Sequence, residues 1–382
     1  MLRLLRRTVG TLLLSFHDFI EHVQDLVQVR LLGNHRVVLR DEAGGQPAGP
    51  ASGPGPARLA IVALYPSPYS FPFTLNLIDA LAANGFSILA ISTRRLTEAQ
   101  RADLLPRVSR LILRKPVGRD FGSYRLGLGL LGLIGQEPPA HVERLVLAND
   151  SMFYRPDSAE LVRAVLDLPE DCAGMFENYE FHYHMQSFFL AFRRPAFTAP
   201  VFQDFWRDYR PYSSRKHSIN RGEVGLTAAL RHGRVTMAAH FNSGRIKTML
   251  AALPFEEVQA ELLDLLPVHH EFDYEGAVEE LTAVAAAGLA PEERRMREAL
   301  FQRQFVRRMS QLAETMNTTH FLGLLLNRFA NGPLKRDICY RGVYAIWQVV
   351  SAARGFPPDQ RHALEADLRE RGLPVSLAGW KG

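Results

Sequence analysis

Cysteine is almost absent: only Cys172 and Cys339 occur in a chain of 382 residues. Two thiols so far apart match neither a disulfide framework nor a metal-binding spacing, and they point to a reducing compartment. No run of about 18 apolar residues is present, so no segment is expected to cross a bilayer as a helix. The apolar stretch at 11–16 is short and has no small-residue cleavage site after it, which argues against a signal peptide. There is no P-loop or dinucleotide fingerprint. Nor is there a paired-carboxylate or nucleophile signature, which leaves a hydrolase without support. Internal repeats are missing too. The net charge of +5 comes mostly from scattered arginine, without a long basic run. No nucleic-acid partner is expected; the mild excess suits phosphates or lipid headgroups, and equally a plain solvated surface.

What is present divides the chain into four parts. Residues 1–40 are expected to form an amphipathic N-terminal helix region. Leu5, Val9, Leu12, Phe16, Phe19, Val23 and Leu26 recur at steps of three and four, behind Arg3, Arg6 and Arg7. Such a helix can lie in a membrane interface or pack on the protein itself. Residues 41–57, rich in Gly, Pro and Ala, are expected to be a flexible linker. Residues 58–254 are expected to fold as an α/β domain. Apolar runs at 59–64, 87–92, 111–114 and 144–148 predict strands, with a helix over 74–84 stopped by Gly85. This alternation predicts a parallel sheet with its ligand at the carboxyl ends of the strands. Residues 255–382 are expected to be mainly helical.

Five constellations carry polar chemistry. Asn149-Asp150-Ser151 follows the strand at 144–148, where a carboxylate is placed to hold a divalent cation or simply to close a turn. Residues 118–123, GRDFGS, follow Arg114 and Lys115; the glycines could admit an anion to the backbone, with the basic side chains assisting. In residues 181–188, His182 and His184 alternate as on one face of a strand beside Gln186 and Ser187, a set suited to sugar hydroxyls or to ordinary satisfied polar contacts. Glu223 heads a helix closed by Gly233, as a cap or as a base. His320 lies in NTTHFL at 317–322, before Lys335 and Arg336, and its spacing leaves open whether it is catalytic or buried.

Taken in order, these segments resemble the rhamnan synthesis protein F glycosyltransferases. The matching pieces are GRDFGSY at 118–124, LANDSMF at 147–153, HMQSFFLAF at 184–192, the pair Phe205-Trp206, EVGLT at 223–227, NTTHFL at 317–322 and PLKRD at 333–337. Thr318 stands where proline is common in that family. The resemblance implies a glycosyltransferase A-like α/β sheet that binds a nucleotide sugar, and an inverting transfer of rhamnose or a related sugar. The acceptor would be a growing cell-surface polysaccharide, such as a lipopolysaccharide O-antigen, or another lipid-linked glycan. It implies Tyr65 and Pro66 at the base, Arg119, Asp120, Asn149 and Ser151 at the donor, and Asp150 at the diphosphate, with Mg²⁺ or Mn²⁺ as the metal. It implies Glu223 as catalytic base. His184, Gln186, Ser187, His320 and Lys335 would hold donor or acceptor sugar. The expected place is cytoplasmic, peripheral on the inner face of the membrane. A non-catalytic sugar-binding or scaffold subunit of a polysaccharide assembly complex is the alternative.

Overall fold

A computed structural model of the chain describes residues 20, 23–45, 57–265, 289–339 and 342–371. The strands are β1 (Val38–Ala43), β2 (Ala57–Leu64), β3 (Ser87–Ser92), β4 (Arg110–Arg114), β5 (Val142–Asn149), β6 (Met152–Phe153), β7 (Cys172–Asn178), β8 (His184–Met185), β9 (Phe189–Arg193), β10 (Met237–Phe241) and β11 (Leu334–Lys335). The helices used below are α1 (Phe71–Ala83), α2 (Glu98–Leu104), α3 (Arg119–Leu130), α4 (Ser158–Leu166), α5 (Pro200–Asp208), α6 (Val224–His232), α7 (Pro291–Thr315) and α8 (Pro358–Arg371).

One mixed, mostly parallel sheet runs in the order β1-β4-β3-β2-β5-β9-β7-β10, with β8 alongside β7. β4, β3, β2, β5, β7 and β10 share one direction, while β1 and β9 run against them. The reason lies in the apolar patterning. In β2, Ala60, Val62 and Leu64 join the core on one face; Leu59, Ile61 and Ala63 join the core on the other. A strand buried on both faces needs helices above and below, which favours crossover connections and parallel pairing. α1, α4 and α7 cover the first face, and α3, α5 and α6 the second. Burying each large apolar side chain contributes roughly 1.5–3 kcal/mol, so this double-faced core outweighs any local propensity.

The sheet reaches further toward the N-terminus than expected. Val38–Ala43, placed by the sequence across the boundary between helix region and linker, pairs antiparallel with β4 as the edge strand. Its charged residues hide its strand character, since no apolar run marks it. On an edge those charges are an asset, and Asp41 accepts from Arg110 Nε at 2.8 Å. Ala57, counted with the linker, already belongs to β2. The apolar stripe from Leu5 to Phe19 lies outside the described residues, as do residues 46–56 of the linker. In the C-terminal region α7 packs on the sheet, and β11 pairs with β6, which ties that region to the turn after β5.

Candidate functional site

β2 leads through α1 to β3 on one side, whereas β5 departs to the other, so their carboxyl ends open a crevice at a topological switch point. The two loops meet there. Asp150 N–H donates to the Ala63 carbonyl at 3.3 Å, and Asp150 Oδ2 accepts from Tyr65 N–H at 2.8 Å. Tyr65 is 54% exposed, with the Arg94 guanidinium 4.8 Å from its ring centroid, while Pro66 is buried behind it.

The helix α3 opens on the same edge. Gly118 stands at its N-cap with φ +84°, and a Cβ there would lie 2.3 Å from the Pro211 carbonyl oxygen. Only glycine tolerates both demands. Arg114, fully buried, donates to the carbonyls of Lys115 (3.1 Å), Val117 (2.5 Å) and Arg119 (2.6 Å), and to Ser123 Oγ (3.0 Å). Burial pulls its guanidinium down to about 10. This corrects the expected anion role of Arg114: its donors are consumed by the loop's own carbonyls and by Ser123. Lys115 likewise donates to Asn34 Oδ1 at 2.8 Å. Arg119 is exposed and reaches the Ser213 carbonyl at 3.3 Å.

Asp120 turns inward. It accepts from Asn149 Nδ2 at 2.9 Å and from Ser218 Oγ at 3.2 Å. Burial, and then the neighbouring Glu223 charge, raise its carboxyl above the usual range. The other end of the Asn149 amide accepts Ser151 N–H at 3.0 Å, so Asn149 links α3 to the turn after β5.

Glu223 stands at the head of α6 but makes no capping hydrogen bond. Its Oε1 accepts from Ser187 Oγ at 2.6 Å and from Ser187 N–H at 3.3 Å. Its Oε2 faces His184 Nε2 at 3.6 Å. His184 Nδ1 lies 2.8 Å from the His182 carbonyl, which can only accept, so this nitrogen carries the proton. The two histidines therefore do not form a metal pair; β8 is only two residues long, and His182 lies before it. Because β9 runs antiparallel, its leading residues reach the edge where the parallel strands end, and this brings Ser187 to Glu223.

Gln186 and His320 are placed differently. Gln186 Nε2 donates to Asn317 Oδ1 at 2.9 Å, and Thr319 Oγ1 donates to Gln186 Oε1 at 3.4 Å, all of them buried. The His320 ring, also buried, meets Asp337 Oδ1 at 3.2 Å, with Arg215 on Asp337 Oδ2 at 3.2 Å. Burial acts to raise the Asp337 carboxyl, but His320, Lys335 and Arg215 together hold it below the usual range.

Sequence reasoning passed over Arg336, although it stands in the PLKRD segment. Its backbone N–H donates to the Ser151 carbonyl at 3.0 Å and Nη1 to the Asp150 carbonyl at 3.0 Å. Nη1 lies 3.8 Å from Asp150 Oδ2. Nε and Nη2 grip both oxygens of the fully buried Asp367, on α8, at 3.2 and 3.0 Å. Nothing near Asp367 in the sequence announces this contact.

Mg²⁺ and Mn²⁺ favour several oxygen ligands, usually including one or two carboxylates, with waters completing the shell. Here Asp150 is 7% exposed, and its Oδ2 is engaged by Tyr65 and approached by Arg336. Both ends of the Asn149 amide are used. Among the described residues no group of three or more His, Cys, Asp or Glu side chains could hold a metal ion. These residues do not fit a divalent cation at Asp150.

Residues 88–259 match the model of the family described as rhamnan synthesis protein F, a stretch holding Asp120, Asn149, Asp150, Ser187 and Glu223. A curated protein of Sinorhizobium fredii (strain NBRC 101917 / NGR234), uncharacterized protein y4gN, is 28% identical over 181 residues, 46% of each chain. The match thus spans about half the length of that relative. Among solved structures, a protein described as a nucleotide-diphospho-sugar transferase from Desulfovibrio desulfuricans G20 aligns at TM-score 0.32 and 16% identity, over 48% of this chain and 79% of that one. The mannosyltransferase PcManGT from Pyrobaculum calidifontis, solved with GDP-Man and Mn²⁺, aligns at TM-score 0.25 and 11% identity, over 95% and 96%. At those scores the fold assignment rests on the sheet itself.

Proposed function

We propose that the chain is a glycosyltransferase that takes a sugar, rhamnose or a relative of it, from a nucleoside diphosphate donor. The observation that carries this reading is the meeting of Tyr65, Asp120, Asp150 and the Ser187–Glu223 pair on one crevice, most of them inside the family-matched stretch. A glycosyltransferase A-like use of the sheet places the base at Tyr65 and Pro66, and the donor against Arg119, Asp120, Asn149 and Ser151. Glu223 Oε2 then removes the proton from an acceptor hydroxyl. That oxygen attacks the anomeric carbon, and the bond to the diphosphate oxygen breaks with its electron pair leaving on the phosphate. One attack of this kind inverts the anomeric centre. Gln186 and His320 shape the acceptor side from behind rather than by contact. The acceptor is a growing cell-surface polysaccharide or a lipid-linked glycan. Calorimetry with common nucleoside diphosphates, followed by a transfer assay with the matching nucleotide sugars, tests the reading. Binding of a diphosphate well above the free sugar is expected, and no binding of any diphosphate overturns it. The engaged oxygen of Asp150 favours a second reading, a non-catalytic sugar-binding subunit; donor binding without transfer or donor hydrolysis would select it.

The same proposal places the protein in the cytoplasm, peripheral on the inner face of the membrane. Among the described residues no helix is long and apolar enough to cross a membrane. Val23, Val27, Leu31 and Leu32 are exposed near the exposed Arg30 and Arg36, a pairing suited to an anionic lipid surface. Asp25 accepts from Ser213 N–H (2.7 Å) and Ser214 N–H (3.2 Å), so a truncation that spares the site must stop before it. Removing residues 1–19 is expected to weaken co-sedimentation with anionic vesicles, with the exposed residues 23–36 keeping part of it, and to leave donor binding intact. Equal sedimentation of both forms would remove residues 1–19 from the membrane role.

A further inference from the structure

We propose that the chain supplies its own cation in place of a metal: Lys335 meets the diphosphate of the donor, while Arg336 answers the charge of Asp150. The inference rests on the glycosyltransferase reading and assigns the chemistry of its leaving group. A diphosphate leaving group gathers negative charge as its bond to sugar breaks, and something positive must stand at the turn after β5. Asp150 does not fit a metal there. Its one carboxylate already has Tyr65 N–H at 2.8 Å and the Arg336 guanidinium at 3.8 Å, and Arg336 is itself held by both oxygens of Asp367. A dication at Asp150 would face that guanidinium across a buried space.

Lys335 sits next to this locked pair, and its charge acts on Asp337 only from beyond ion-pair distance. Its backbone lies opposite Met152 in the β11–β6 ladder, one residue past the Asn149-Asp150-Ser151 turn. Its ammonium is 5.3 Å from the Phe188 ring centroid, and the Phe188 carbonyl receives Asn149 N–H at 3.1 Å. The side chain is half-buried, yet among the described residues no ion pair within 4.0 Å engages it. The nearby Asp337 is taken by His320 and Arg215. A half-buried ammonium without a carboxylate on it, beside the turn that carries Asp150, is suited to an incoming anion. The antiparallel pairing of β11 with β6 holds Lys335 there without help from a ligand.

The test uses the full chain in calorimetry with UDP, GDP and dTDP, and with their parent nucleosides, in EDTA and then in Mg²⁺ or Mn²⁺. For the wild type, the diphosphate that binds is expected to keep its affinity within about threefold between EDTA and metal. Lys335→Ala should weaken that diphosphate by roughly ten- to a hundredfold, the range for one charge-assisted hydrogen bond, and leave the nucleoside unchanged. Lys335→Arg should retain most of the affinity, and melting temperatures should show all variants folded. Wild-type binding lost in EDTA and restored by Mn²⁺ would overturn the proposal, as would Lys335→Ala binding the diphosphate like wild type. If the wild type binds no diphosphate under either condition, the glycosyltransferase reading fails and takes this one with it.

Discussion

Replacing Glu223 by Gln is expected to lower sugar transfer on the order of 10²–10⁴-fold while donor affinity and melting temperature hold, the loss typical of a removed general base. The structure makes this variant a clean one. A glutamine keeps an oxygen for Ser187 Oγ and N–H, which lie 2.6 and 3.3 Å from Oε1 in the native site. The side chain caps no backbone N–H of α6, so the usual penalty of about 1 kcal/mol for a lost cap does not arise. What disappears is the proton acceptor at Oε2, the atom facing His184. Single-turnover transfer, read beside calorimetry and thermal melting, checks the split. Near-native transfer would exclude Glu223 as base. A large fall in melting temperature would instead make the Ser187 contact structural.

Arg336→Met is expected to cost about 3–5 kcal/mol of stability at neutral pH, the range for a buried ion pair that loses one partner. Asp367 would be left fully buried with only Ser67 Oγ at 2.5 Å and Arg371 Nε at 2.9 Å, and Asp150 would lose the guanidinium on its carbonyl. The pH dependence has a definite sign. Burial acts to raise the Asp367 carboxyl, but the hydrogen bond and charge of Arg336, with Ser67 and Arg371, bring it below its ordinary value. A depressed carboxyl contributes stability above the unfolded value of about 3.9, and that contribution is lost as pH falls through the folded value. The gap between wild type and Arg336→Met should thus be wide at neutral pH and narrow in acid. Urea unfolding at both pH values measures it. A gap that persists unchanged in acid would assign the loss to packing. The double variant Arg336→Met with Asp367→Leu should recover part of the loss, because the charge of Asp367 is then removed together with its partner, while Asp150 still lacks the guanidinium.

Much of the framework is written locally. The apolar runs at 59–64, 87–92, 111–114 and 144–148 all lie within strands, and Gly233 ends α6 as expected. Such features are readable because strand and helix burial repeats every two or about 3.6 residues, and because few residues can end a helix. The Asn149-Asp150-Ser151 turn and Glu223 were visible as polar punctuation at the ends of those elements. β1 was not, since an edge strand carries charges and owes its form to β4.

Only the tertiary structure decided what each polar group faces. Arg336 meets Asp150 across 186 residues, and Ser67 meets Asp367 across 300. Ser187, expected at sugar, donates to Glu223, and Arg114, expected at an anion, satisfies the carbonyls of its own loop. No periodicity records such pairings, because a hydrogen bond depends on distance and direction in space. Composition and spacing determined that a buried, mostly parallel sheet would form with its polar residues at one edge. Chain reversal at β9 and the return of β11 to β6 determined which of those residues meet. Buried donors and charges must find partners wherever packing brings one within reach, and only the packed chain can say where that is.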